Sequence, residues 1–161
     1  MSTATTAADL ISPWAWTGFS GMPVTGTAAA NHLDLTLKIL ERDGWVRNYS
    51  DNTDPLADIT ERSTFRQMLY GLVTAIREFT TRGPHTLGGA MSQATTEGSN
   101  SDAQHSAGHC LTAILRSRYD LDLHNIACFN SWAERQEQTY DDVRDLITEA
   151  AGLARTHGPA A

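Results

Sequence analysis

At 161 residues the chain fits one domain, long enough to bury most of its apolar surface without disulfide or metal staples. Twelve Lys and Arg against nineteen Asp and Glu give a net charge of −7, and no predicted helix carries a basic stripe, so no electrostatic footprint for nucleic acid is present. No apolar run approaches the roughly 18 residues of a membrane span, and the first residues lack the basic start and apolar centre of a signal peptide.

In chain order, the first thirty residues contain one charge, Asp9, yet include Ile11, Trp14, Trp16, Phe19, Met22 and Val24. This reads as a non-helical arm, residues 1–26, preceding a single helical domain over 27–161. Ala29, Ala30, Leu33, Leu37 and Leu40 then recur at three- and four-residue spacing, which predicts a helix over 27–43 stopped by Gly44. A turn-rich connection follows, and Phe65, Met68, Leu69, Leu72, Val73, Ile76 and Phe79 form the stripe of a second helix over about 61–80. Residues 81–101, rich in Gly, Ser and Thr, read as a flexible loop. Further helices are expected over about 102–117 and 123–130. A last helix is opened by a capping box of Thr139 and Asp142 and closed by Gly158-Pro159, with Val143, Leu146, Ile147, Ala150, Ala151 and Ala154 buried. With no strand signal and no internal repeat, the expected fold is all-α, a compact bundle of four to five helices.

Gly44-Trp45 after the first helix, the central MLYGLVTAI, and the terminal IACFNSWAERQEQTYDDVRDLITEAA resemble a family of small actinobacterial helical proteins of unknown function. That family's pattern is Gly-Trp, a cysteine-bearing helix, Trp-Asn-Asp before a short loop, and Thr-x-x-x-Val opening the last helix. The resemblance spans about residues 31 to 155 and implies a helical architecture without implying a reaction. The cysteine-bearing helix reads Gln67, Met68, Leu69 here, and Trp-Asn-Asp reads Phe129, Asn130, Ser131, so an activity resting on that cysteine or aspartate would be absent.

HSAGHC at 105–110 and HNIAC at 124–128 each pair possible metal ligands four residues apart. Projected at about 100° per residue, however, Cys110 joins Ala103, Ala107, Leu111 and Ile114 on the core side, whereas His105, His109, Thr112 and Arg116 fall opposite, toward solvent. Tetrahedral zinc needs four ligands aimed at one point, so no metal site is expected, and His124 and Cys128 sit in a helix apolar nearly all round. Cys110 and Cys128 read as reduced, slow-reacting core thiols in a cytoplasmic protein. GFSG at 18–21 is no nucleophile elbow, because Met22 stands where glycine is required. Asn130 reads as a cap and His157 as a partner of the last helix dipole.

No catalytic constellation and no cofactor motif emerges. The expectation is a non-enzymatic interaction or assembly module in which Trp14, Trp16, Phe19 and Met22 dock a protein partner or a second copy. The alternative is a small enzyme or ligand-binding protein with a pocket between helices, covered by 81–101 and including His85.

Overall fold

The structure is a computed structural model that describes residues 6–48, 83–119 and 128–160. Five α-helices occur among these residues: α1 (Gly26–Asp43), α2 (Leu87–Thr96), α3 (Ser101–Tyr119), α4 (Cys128–Ala133) and α5 (Tyr140–His157). α1 lies against α5, α2 and α3, and α3 packs in turn against α5. The helix expected over 61–80 lies outside the described residues.

α1 and α5 each start where a hydroxyl satisfies a free backbone N–H, and α3 starts where Asn100 Oδ1 accepts from Ala103 N at 2.7 Å. The Thr25 side chain accepts from Ala28 N at 3.1 Å, and the Thr139 hydroxyl accepts from Asp142 N at 3.3 Å while Asp142 Oδ2 accepts from Thr139 N at 2.8 Å. Leu33, Ile39 and Leu40 of α1, Leu111, Ile114 and Leu115 of α3, and Val143, Leu146 and Ile147 of α5 then close one apolar core. The start of α1 meets the end of α5 backbone to backbone. Gly26 N donates to Pro159 O at 2.9 Å, and a Cβ on Gly26 would stand 2.1 Å from Ala154 O, so only glycine permits this approach.

Two expectations are corrected and one is refined. Within 81–101 the chain forms α2 rather than a loop: Leu87, Ala90, Met91 and Ala94 are buried at helical spacing, and Thr86 caps the helix by accepting from Gly89 N at 3.1 Å. The arm, as expected, carries no α-helix among its described residues, and Ala8–Leu10 and Pro13–Trp16 form single 3₁₀ turns. Of the helix placed at 123–130, residues 123–127 lie outside the described residues; the helix seen from Cys128 runs past Asn130 to Ala133 and buries Phe129 and Trp132.

Candidate functional site

The arm folds back on the bundle with only some of its apolar side chains inward. Ala15 and Val24 are buried and Trp16 packs against the core, where its ring lies beside Gly158. Trp14, Phe19 and Met22 are 78%, 75% and 63% exposed. Of the four residues expected to dock a partner, Trp16 therefore faces its own chain and three face solvent.

Residues 17–23 hold their shape through local bonds. Thr17 and Pro23 pair as an antiparallel bridge, Gly18 N donates to Met22 O at 2.9 Å, Gly21 N donates to Gly18 O at 2.9 Å, and Gly21 has φ 79°, in the left-handed region. The turn is fastened to α3 by Asp102, whose Oδ1 accepts from Ser20 N at 3.0 Å and whose other oxygen accepts from the Ser20 hydroxyl. These bonds hold the Asp102 carboxyl below its usual range. A Cβ on Gly18 would collide with this carboxylate.

One turn along α3, the Phe19 ring lies 4.2 Å from that of His105, which meets His109 edge-on at 4.6 Å with their Nε2 atoms 3.2 Å apart. The sequence placed this face toward solvent. Instead both histidines are half-buried and Thr112 is 7% exposed, and the folded-back arm lies against α3 with Phe19 on His105, a contact that no helical projection contains. Cys110 does face the core, where burial pushes its thiol up to about 12. It cannot join the two imidazoles. His124 lies outside the described residues.

A second polar cluster occupies the end of the bundle where α1 stops. Gly44, with φ 92°, turns the chain so that Trp45 pairs with His85: His85 N donates to Gly44 O at 3.0 Å and Val46 N donates to His85 O at 3.0 Å. Asp43, 4% exposed at its side chain, takes two hydrogen bonds from Arg42 at 2.7 and 2.6 Å, and Arg42 also donates twice to Glu97 at 2.9 Å. The guanidinium hydrogen bonds hold the Asp43 carboxyl low, so it stays an anion and is poorly suited to accept a proton. His85 Nε2 stands 3.4 Å from Asp43 Oδ2 without a hydrogen bond. Asn130 contacts Gly88 at the start of α2, and Arg47 lies 5.6 Å over the Trp45 ring while donating to Gln138 O at 3.1 Å. The segments bearing the Gly-Trp, Phe-Asn-Ser and Thr-x-x-x-Val residues are thus linked through His85, Gly88 and Gln138. Trp45 Nε1, His85 Nε2, Asn130 Oδ1, Trp132 Nε1 and the Tyr140 hydroxyl are buried without hydrogen-bond partners. His85 had been placed in a loop, and Asp43 had no sequence signal beyond a charge at a helix end.

A helical bundle bearing a folded-back aromatic arm is the class these features define. Residues 24–153 match the family described as Family of unknown function (DUF6197), and the chain belongs to it. No curated protein and no solved structure matches the chain. No helix among the described residues is long and apolar enough to cross a membrane.

Proposed function

We propose that the chain is a non-enzymatic docking module that inserts turn 17–23 into an apolar cleft on another protein. The observation that carries this reading is a turn fastened to α3 by Asp102 that leaves Phe19 and Met22, with neighbouring Trp14, largely exposed. An apolar side chain held in place and left in water gains free energy when covered, and little conformational entropy remains to be lost. These three side chains offer on the order of 400 Å², about half the ~800 Å² per partner of a standard interface. That area is small for a symmetric dimer closed by this face alone, and it suits a knob entering a concave site. The net charge of −7 favours a cleft with a neutral or basic rim.

A photo-crosslinker at Phe19 in the full-length protein, followed by binding measurements with the captured partner purified, tests the reading. A partner that binds the native chain and loses affinity at least tenfold, about 1.4 kcal/mol, with Phe19→Ser or Trp14→Ser supports it. Binding indifferent to these changes overturns it, as does capture only of a second copy.

The second reading, a ligand-binding protein or enzyme, is favoured by Trp45 Nε1 and Asn130 Oδ1, buried without hydrogen-bond partners, because buried polar groups in native proteins ordinarily have partners. Native mass spectrometry retaining a small molecule that is lost in Asn130→Ala would favour it over docking.

A further inference from the structure

His105 and His109 stand one helical turn apart on α3, with their Nε2 atoms facing each other at 3.2 Å. Two imidazole nitrogens bound to one divalent ion at about 2.0–2.1 Å are separated by roughly 2.9 Å at right angles and 3.4 Å at the tetrahedral angle. The observed separation falls within that range. In the metal-free pair, one Nε2–H donates to the other Nε2 lone pair. His105 Nδ1 is buried without a partner, so the pair leaves one polar atom unsatisfied in either tautomer of that ring.

We propose that His105 and His109 chelate a divalent transition-metal ion of the Zn²⁺ or Ni²⁺ type, in an open and exchangeable site beneath the arm. Both ions suit imidazole, and α3 supplies the pair at a chelating separation, so loss of the shared proton and a tilt of each ring would aim the two lone pairs at one point. The charge environment favours a cation: Asp102 lies on the preceding turn, held ionised by Ser20, and the whole chain carries −7. Phe19 against the His105 ring restrains one ligand from the side opposite the helix core. No group of three or more ligating side chains occurs among the described residues, so water completes the coordination. The absence of an acceptor for His105 Nδ1–H places the affinity at the weak, exchangeable end, since metal-bound imidazoles ordinarily donate their second N–H to a partner. The site is carried by the histidine geometry and does not require the docking reading.

Titration of the purified full-length chain with ZnCl₂ and separately NiCl₂, followed by calorimetry at pH 7.5, is the test. One equivalent should bind, weaken at least tenfold, or 1.4 kcal/mol, in His105→Asn and in His109→Asn, and remain unchanged in His157→Asn. If either variant loses its helical circular dichroism, nuclear magnetic resonance of the native chain replaces it, with Ni²⁺ broadening the ring signals of His105 and His109 before those of the other histidines. Absence of binding at sub-millimolar ion, binding that survives removal of both histidines, or first broadening elsewhere overturns the proposal.

Discussion

His32 shows what burial does to a titratable group. It is fully buried in α1, its Nδ1 shares a hydrogen bond with Ser99 Oγ at 2.8 Å, and its Nε2 has no partner. Burial lowers its pKa to about 4, so the folded state keeps it neutral where the unfolded chain, titrating near 6.5, takes up a proton. Its contribution is therefore intact above pH 6.5 and is lost progressively as the pH falls toward 4, by on the order of 3 kcal/mol in total. His109, lowered by burial and by the neighbouring His105, acts in the same direction. Denaturant melts between pH 7 and 4 should show this loss, and His32→Leu should flatten the slope across that window. An unchanged slope would place the proton uptake elsewhere. Cys110, with its thiol pushed up to about 12 by burial, should label slowly with a disulfide reagent in the native state and quickly in denaturant. Fast native labelling would contradict its place in the core.

Among the helices, the junction of α1 and α5 depends on the close approach at Gly26. A methyl group there would meet the Ala154 carbonyl and force the helix ends apart, so Gly26→Ala should destabilise by about 1–3 kcal/mol in thermal unfolding. An unchanged melting temperature would mean that the two ends separate freely. Thr139→Ala, which removes the hydroxyl arm of the capping box on α5 and leaves the backbone N–H arm to Asp142, should cost about 1 kcal/mol, read from denaturant melts. A stability equal to that of the native chain would show that the box is not needed to start α5. α1 and α5 are legible in the sequence because each is long, periodic and marked at an end by Gly44 or Thr139, and α3 because Ala103, Ala107, Cys110, Leu111 and Ile114 fall on one side. α2 is not. Its stripe is four residues long, and Gly88, Gly89 and the surrounding Ser and Thr residues suggest a loop to any composition-based reading, whereas burial against α1 and α3 stabilises the helix.

For the molecule as a whole, the arm is where sequence and structure part most clearly. Its aromatic density is plain in the sequence, but which tryptophan faces inward is not: at about three residues per 3₁₀ turn, Trp14 and Trp16 point in different directions, and only the bundle decides which is covered. The Asp43 and His85 cluster was equally hidden, since its members come together through a turn at Gly44 and a bridge to a segment read as loop. Nothing in a helical projection could show the arm lying on the His105 face. The docking proposal requires that Phe19, despite its contact with His105, add little to stability and that Trp16 add much. Thermal unfolding of Trp16→Ala and Phe19→Ala, measured side by side, tests this directly. Trp16→Ala should lose about 2–4 kcal/mol through the cavity it leaves against Gly158 and the core, while Phe19→Ala should stay within about 0.5 kcal/mol of the native chain. A loss at Phe19 as large as that at Trp16 would make the exposed aromatic part of the fold, and the arm would no longer qualify as a docking element.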